Sequence, residues 1–369
     1  MTLTPERSYH FTRTLGKLIC AWPPDPKTGR TERFLNNAFW TVYVVNAVLL
    51  MIPLAFAIRY FRDDVTTVTK AVSELTSLEE VVLNLIICRV QRARLQELTS
   101  EIRNFMTKAQ PHEKSVLQMY VARYTPFNVF LASSYILTAI TFCCVPLLTS
   151  RTLPADAWYP FSTDRIFVRC VVYLHQSLAV LHCGMCIGID ITTVTLFWYA
   201  GARLEMLETE FREFDTKADL HRCIKKHQHV IRYVSETSRA HGLIIAKVPM
   251  TMTIAVACGG IQLIRRESLL VMSQFVFYVM AAALRLFAFA WAADNLKETS
   301  ERLALAIYES DWMNKSSKIQ KDLRIMIQRC QRPLVIRISG VLPLLSLNYY
   351  VQFLSTCFSY FMTLLAVTA

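Results

Sequence analysis

The sequence predicts an all-α fold, a polytopic membrane protein with seven transmembrane helices. Of its 369 residues 53% are hydrophobic, whereas soluble chains contain about 45–50%. The excess collects in runs of about 20 residues, the length that crosses a bilayer as a helix. Lys and Arg concentrate in alternate connecting segments, as the positive-inside rule requires of a chain that crosses a membrane repeatedly.

Six of the seven predicted spans are strongly apolar. They cover residues 34–58, 125–148, 167–200, 243–264, 268–293 and 338–367. The second span in chain order, VTKAVSELTSLEEVVLNLIICRV, contains Glu74, Glu79 and Glu80, yet its apolar residues recur at helical spacing. We expect its polar side to face protein or water. A buried cytoplasmic helix is the alternative.

The distribution of cations predicts the orientation. Segments 1–33, 89–124, 202–240 and 295–337 carry 30 Lys and Arg, whereas the connections on the opposite side carry seven. Because Lys and Arg are retained on the cytoplasmic side, we predict a cytoplasmic N-terminus and, after seven spans, an extracellular C-terminus. Residues 1–33 lack a signal-peptide pattern, so the first span is expected to act as an uncleaved anchor.

Two cytoplasmic segments, 202–240 and 295–337, are predicted to be helical rather than simple loops. In RLEMLETEFREF the residues Leu204, Leu207 and Phe211 lie on one helical stripe, and Ile319, Leu323 and Met326 do the same in SKIQKDLRIMIQRC. Amphipathic helices in water need a partner. We therefore expect the membrane helices to continue into a cytoplasmic anchor region within a single domain, 1–369.

Enzymatic and metal-binding functions are not expected. The sequence contains no nucleophile elbow, phosphate-binding loop or paired acids in an aqueous setting, so no catalytic residue and no cofactor are predicted. HRCIKKHQHV and LHCGMC do not match the ligand spacing of a zinc site. Asp190 and Arg285 lie in different spans and are expected to form a structural ion pair, with an ion-pathway role as the alternative.

Nucleic acid is not an expected partner. The net charge of +12 comes largely from the cytoplasmic segments, and their basic residues alternate with membrane spans. Attraction to anionic lipid of the inner leaflet accounts for this charge.

The C-terminal third resembles the insect odorant receptors. The residues that carry the resemblance are IYESDW (307–312), QRCQRPLVIRISGVLPLLSLNYY (328–350) and CFSYFMTLLAV (357–367), and WYPFSTD between the third and fourth spans is similar to the outer loop of that family. The resemblance implies a non-selective cation channel, gated by a small volatile odorant, in the plasma membrane of an olfactory sensory neuron. Family members form tetramers around a pore lined by the last helix.

The chain looks like an odour-tuning subunit, which the resemblance implies works in a heterotetramer with a co-receptor subunit. It lacks the long insertion of the co-receptor, because segment 202–240 is compact. Among the alternatives, a gustatory-type channel usually ends with Gln-Phe where this chain has Ala366 and Val367, which favours the odorant receptors. A metabotropic seven-helix receptor would need a cytoplasmic C-terminus, and a transporter is the weakest alternative.

The last span, 338–367, is the pore helix that the resemblance implies. SYFMTLLAV aligns without a gap with the co-receptor ending Thr-Tyr-Phe-Met-Val-Leu-Val-Gln-Leu, which puts the two gate positions at Thr363 and Val367 and the polar Gln position at Ala366. Ser359, Thr363 and Val367 are four residues apart and share a helix face. Thr and Ala at these positions indicate that this subunit alone does not form a tight conducting pore.

A ligand pocket is expected in the outer halves of the second to sixth spans. Small-molecule sites are mostly apolar with a few polar groups, and depth and side-chain type select the candidates. They are Leu75, Leu78, Thr138, Phe142, Tyr173, Gln176, Ala179, His182, Met252, Val256, Gln274, Phe275 and Tyr278. For Phe142 and Phe275, packing in the core is the competing interpretation.

Overall fold

The computed structural model describes residues 4–25, 28–148, 152–264, 269–338 and 344–368. In these ranges the regular elements are α-helices, as the sequence predicts. They are α1 (Pro5–Leu18), α2 (Arg30–Tyr60), α3 (Val65–Val90), α4 (Arg92–Lys108), α5 (Pro111–Leu148), α6 (Ile166–Met185), α7 (Ile187–Glu213), α8 (Lys217–Ile264), α9 (Leu269–Glu309), α10 (Ser317–Cys330) and α11 (Leu347–Thr368).

Five stretches of helix in the described residues are long and apolar enough to cross a membrane. They are Arg30–Tyr60, Pro111–Cys144, Ile166–Glu213, Lys217–Ile264 and Met272–Glu309. On α6 the side chains of Val171, Leu174 and Leu178 are exposed at helical spacing, which is typical of a face in contact with lipid. The chain is therefore a membrane protein. Seven spans remain a prediction, with α3 and α11 completing the set.

The fourth predicted span, 167–200, consists of two helices rather than one. The N–H of Cys186 donates to the carbonyl oxygens of both His182 and Cys183, at 3.0 and 3.2 Å, and this tightened turn separates α6 from α7. Glycines on either side allow close packing there. A Cβ atom at Gly184 would lie 2.7 Å from Ala139 Cβ on α5, and one at Gly188 would lie 3.0 Å from Leu15 Cβ on α1.

The last helix begins later than the predicted residue 338. The N–H of Leu345 donates to the carbonyl oxygen of Ile336 at 3.1 Å, and the described residues 334–338 and 344–346 are not helical. Ser346 then caps α11, because its hydroxyl accepts a hydrogen bond from the N–H of Tyr349 at 3.1 Å. Helix α11 therefore starts at Leu347.

Helix α7 is the central element of the bundle. Every residue from Ile187 to Ala202 is buried, because α1, α5, α8 and α9 pack around this segment. Trp198 stacks on Tyr124, with ring centroids 5.5 Å apart, and meets Trp291 of α9 edge to face at 4.9 Å. Aromatic contacts of these kinds add to the stabilisation from burial.

The segments predicted to form the cytoplasmic anchor are continuous with the long helices. Only residues 214–216 separate α7 from α8. The predicted stripes are confirmed, because Leu204, Leu207 and Phe211 of α7 and Ile319, Leu323 and Met326 of α10 are all buried. The polar N-terminal segment is held against α4 by Asp25, whose carboxylate pairs with Arg13 and Arg103 at 2.7 Å each.

Candidate ligand-binding cavity

A cavity of about 140 Å³ lies in the middle of the helix bundle. Seven helices contribute to it, α2, α3, α5, α6, α7, α8 and α9, together with the loop that precedes α6. Its apolar lining consists of Leu50, Leu54, Leu78, Val81, Ala139, Phe142, Ala155, Val180, Cys183, Gly184, Cys186, Ile187, Ala281 and Ala282. Its polar lining consists of Ser73, Glu74, Ser77, Glu80, Asn84, Tyr135, Thr138, Asp190, Thr251, Tyr278 and Arg285.

Helix α3 contributes more of the polar lining than any other helix. Ser73, Ser77, Glu80 and Asn84 follow one another at spacings of three or four residues along α3, so they lie on the same helix face. Ser77 Oγ lies 3.0 Å from the Tyr278 hydroxyl of α9. This contact joins the polar wall to the opposite side of the cavity.

A buried ion cluster forms the base of the cavity. Arg285 of α9 pairs with Asp190 of α7 through two contacts, Nη2 to Oδ1 at 3.0 Å and Nε to Oδ2 at 2.9 Å. The predicted pair of Asp190 and Arg285 is thus confirmed. Glu80 of α3 is a further partner, with Oε1 at 2.6 Å from Arg285 Nη2, and Lys247 Nζ donates to Asn84 Oδ1 at 2.7 Å beside the cluster.

The loop between α5 and α6 closes one end of the cavity. Ala155 in this loop lines the cavity, and its N–H donates to Gln176 Oε1 at 2.8 Å. The other end of the same amide, Nε2, donates to the Tyr159 hydroxyl at 3.1 Å. The N–H of Trp158 donates to the carbonyl oxygen of Pro53 at 3.1 Å. These bonds hold the loop against the helix ends.

The cavity brings together four of the thirteen candidate residues from the sequence. Leu78 comes from α3, Thr138 and Phe142 from α5, and Tyr278 from α9. They lie on three different helices, as expected for a pocket formed between packed elements. Contact with a ligand remains a prediction for each of them.

The other nine candidates do not belong to this lining. Gln176 is fully buried and fastens the outer loop, and Tyr173 donates its hydroxyl proton to the carbonyl oxygen of Cys143 at 2.5 Å. His182 stacks on Tyr43 of α2, with ring centroids 4.1 Å apart. Gln274 donates through Nε2 to the carbonyl oxygen of Thr141 at 3.4 Å.

The apolar members of these nine pack against neighbouring side chains. Phe275 packs edge to face on Phe142, with ring centroids 6.2 Å apart, which is the core interpretation for that residue. The remaining four, which are buried or half-buried within the two hydrophobic clusters, are Leu75, Ala179, Met252 and Val256.

Sequence reasoning missed the polar face of α3 as part of the site. Ser77, Glu80 and Asn84 were not among the candidates, although a row of polar residues within an apolar span is a readable signal. That signal predicts a side facing protein or water, but it does not say which. Tyr135 and Thr251 carry no comparable signal, because single hydroxyls in long apolar helices are common.

The predicted pore positions lie on α11. Ser359, Thr363 and Ala366 are exposed in this single chain, and the Thr363 hydroxyl donates to the carbonyl oxygen of Ser359 at 2.9 Å. The side chain of Val367 lies outside the described residues. The pore role of this face therefore stays a prediction.

Comparison with known proteins identifies the family. The model of the family described as 7tm Odorant receptor matches residues 65–358. Odorant receptor 47b of Drosophila melanogaster is 22% identical over 394 aligned residues, which cover 96% of this chain and 90% of that protein. The odorant receptor coreceptor of Aedes aegypti is 25% identical over 157 residues, covering 42% of this chain and 33% of that protein.

Solved structures agree with the fold. The olfactory receptor OR5 of the insect Machilis hrabei superposes with a TM-score of 0.86 at 16% identity, covering 98% of both chains. A second structure of that receptor, in complex with eugenol, superposes with a TM-score of 0.85 and covers 98% of this chain and 97% of the other. The chain therefore belongs to the seven-transmembrane odorant receptors of insects, a family of receptors rather than enzymes.

Proposed function

We propose that this chain is the odour-tuning subunit of an odorant-gated, non-selective cation channel. It binds a small volatile ligand in the central cavity and works with a co-receptor subunit in a heterotetramer. We further propose that it resides in the plasma membrane of olfactory sensory neurons, with a cytoplasmic N-terminus and an extracellular C-terminus. Membership of the odorant receptor family and the distribution of cations support this proposal.

The observation that carries the proposal is the position of the cavity relative to the last helix. Helices α8 and α9 both contribute lining residues and both pack against α11. At Gly260 of α8 the approach is close, because an added Cβ would lie 3.0 Å from Phe361 Cδ2 of α11. A change in the cavity thus has a short mechanical route to the proposed pore helix.

Ligand occupancy opens the pore by moving α8 and α9 against α11. A ligand shifts such an equilibrium only by its preference for the open state. The gate consists of side-chain rings at Thr363 and Val367, with Ser359 and Ala366 on the same face, and it blocks ions by excluding water, so modest widening rewets it. The cytoplasmic helices, segments 202–240 and 295–337, remain a fixed anchor between subunits.

The composition of the gate supports a requirement for the co-receptor. Thr363 introduces a hydroxyl at a position where the resemblance implies an apolar side chain, and Ala366 lacks the polar amide. A ring made only of this subunit would be less apolar at one level and less polar at the next. Co-receptor subunits supply the missing groups in a mixed tetramer.

Filling the cavity tests the proposal. Ala282 lines the cavity, and the added ring of Ala282→Phe would occupy space that a ligand needs. In cells that also express the co-receptor, we expect currents evoked by a panel of volatiles to disappear, while surface labelling shows the variant at the membrane.

The matched control is Val276→Phe, which adds bulk at an exposed position of the same helix. It should leave the evoked currents unchanged. Full responses in Ala282→Phe would place ligand binding elsewhere and contradict the proposal.

A further inference from the structure

Three hydroxyl groups that line the cavity offer hydrogen-bond acceptors rather than donors, because their protons are used within their own helices. Ser73 donates its proton to the carbonyl oxygen of Lys70 at 2.8 Å, and Thr138 donates to that of Ser134 at 2.8 Å. Thr251 likewise donates within its own helix, to the carbonyl oxygens of Lys247 and Val248. A hydroxyl has one proton and two lone pairs, so each of these groups faces the cavity with lone pairs alone.

The contact between Ser77 and Tyr278 extends this pattern to mid-cavity. Ser77 Oγ donates its proton to the carbonyl oxygen of Ser73 at 2.9 Å. Its 3.0 Å contact with the Tyr278 hydroxyl therefore has Tyr278 as the donor. With that proton engaged, the Tyr278 oxygen can only accept a further hydrogen bond.

The strongest donor of the lining is engaged at the base of the cavity. Arg285 is held by Asp190 and Glu80 through its Nε and Nη2 atoms. The Tyr135 hydroxyl also lines the cavity and can donate a proton. The amide nitrogen of Asn84 is a remaining donor, next to Lys247. Acceptors thus predominate where a ligand would sit.

Charge and size restrict the ligand further. At the base of the cavity the carboxylates of Glu80 and Asp190 are balanced by Arg285 and the neighbouring Lys247, whereas Glu74 accepts a hydrogen bond from the N–H of Asp156 in the loop before α6. A charged group placed at the base would leave an uncompensated charge in a buried site. A cavity of about 140 Å³ compares with an engineered cavity of about 150 Å³ that takes up benzene. The ligand is therefore about the size of one substituted ring.

We propose that this cavity selects a compact, uncharged ligand that bears a hydroxyl group, an alcohol or a phenol, and that donates its proton to the Tyr278 oxygen. The inference rests on the proposed function of the cavity. It predicts that ketones, aldehydes and ethers of the same skeleton bind more weakly, because their oxygen atoms only accept hydrogen bonds and the Tyr278 oxygen has no proton left to donate.

Four probes that share one skeleton test the wild-type chain, expressed with the co-receptor. They are benzyl alcohol, benzaldehyde, toluene and benzylamine, the last a cation at neutral pH. We expect the half-maximal concentration for benzyl alcohol to be about tenfold below that for benzaldehyde, the effect of one hydrogen bond. Equal potency of alcohol and aldehyde, or highest potency for benzylamine, would overturn the inference.

Two variants test whether the ligand preference depends on which hydroxyl group donates its proton or only on the packing of these side chains. Ser77→Ala removes the acceptor for the Tyr278 proton, so Tyr278 becomes a donor and the preference should move about tenfold toward benzaldehyde. Tyr278→Phe should abolish the preference for alcohol without any gain for benzaldehyde. Thr76→Ala is the control, because Thr76 makes the same type of bond, to Val72 at 2.8 Å, outside the lining.

The outcomes also separate this inference from the proposed function. If Ala282→Phe abolishes all currents while Ser77→Ala leaves the ratio of the two potencies unchanged, the cavity is the binding site and the donor preference is wrong. If Ala282→Phe retains its responses, the proposed function itself fails.

Discussion

Arg285 is the residue on which the base of the cavity depends. It is nearly fully buried and pairs with Glu80 and Asp190, so three helices meet at one guanidinium group. A buried ion pair is a weak source of net stability, but removal of one partner leaves the other charges buried and uncompensated. The two carboxylates therefore make the cation indispensable at this position.

We expect Arg285→Met to lower the free energy of unfolding by about 3–5 kcal/mol, measured as a reduced midpoint in detergent by fluorescence-detected size exclusion. Arg324→Met, at an exposed position of α10, should change the midpoint little. Combining Arg285→Met with Glu80→Gln and Asp190→Asn should recover part of the loss. Equal midpoints for the two single variants would show that the buried carboxylates do not require the Arg285 cation for stability.

At the scale of helices, two adjacent glycines let α8 approach two neighbours. A Cβ at Gly259 would lie 2.7 Å from Val279 Cγ2 of α9, and one at Gly260 would lie 3.0 Å from Phe361 of α11. Contacts this close leave no room for a methyl group unless a neighbour moves. The C-terminal end of α8 thus packs against both α9 and the proposed pore helix α11.

The methyl group added by Gly260→Ala should push α11 away from α8. If the close contact between these helices belongs to the closed pore, the variant will show a larger current without ligand. Its half-maximal ligand concentration should fall by about threefold, which is equivalent to about 0.6 kcal/mol. Whole-cell recording with the co-receptor measures both quantities.

Gly242→Ala is the matched control on the same helix, because nothing lies within 4 Å of the added methyl group. It provides the same gain in helix propensity without the wedge. Identical currents from the two variants would rule out the contact with Phe361 as a gating element.

At the scale of the whole molecule, more of the fold than of the cavity could be predicted from the sequence. Periodicity and charge locate helices because they are local properties of the chain, and the stripe of Leu204, Leu207 and Phe211 shows this directly. The turn at Cys186 was missed because it depends on how Gly184 and Gly188 meet other helices. A cavity is a property of packing, and no local pattern states which helix faces enclose it.

A buried carboxyl group of α4 makes the stability of the chain depend on pH. Glu101 of α4 is largely buried, and this burial raises the pKa of its carboxyl group from the ordinary 4.5 to about 7, despite the opposing effect of Arg203. The Tyr199 hydroxyl lies 3.5 Å and His229 Nδ1 3.6 Å from Glu101 Oε1. The folded chain thus binds this proton more tightly than the unfolded chain does.

The stabilising contribution of that proton is complete below about pH 4.5 and is lost as the pH rises through about 7. Glu101→Gln mimics the protonated group, so the melting midpoint in detergent should depend less on pH between 5 and 8 and should exceed that of the wild type at pH 8. Glu298→Gln, at an exposed position of α9 and not among the groups that act on Glu101, should retain the wild-type profile. Parallel profiles for wild type and Glu101→Gln would contradict the role of Glu101.

Because seven helices share the wall of the proposed ligand cavity, no one of them alone determines which ligand fits. No single helix holds more than a fraction of the lining, so a chimera that exchanges one helix between two receptors transfers only part of the recognition surface. In the other direction, substitution of one wall residue at a time retunes the site while the closely packed α7 keeps its environment. If the cavity is the ligand site, its preference can therefore change by small independent steps while the helical scaffold stays the same.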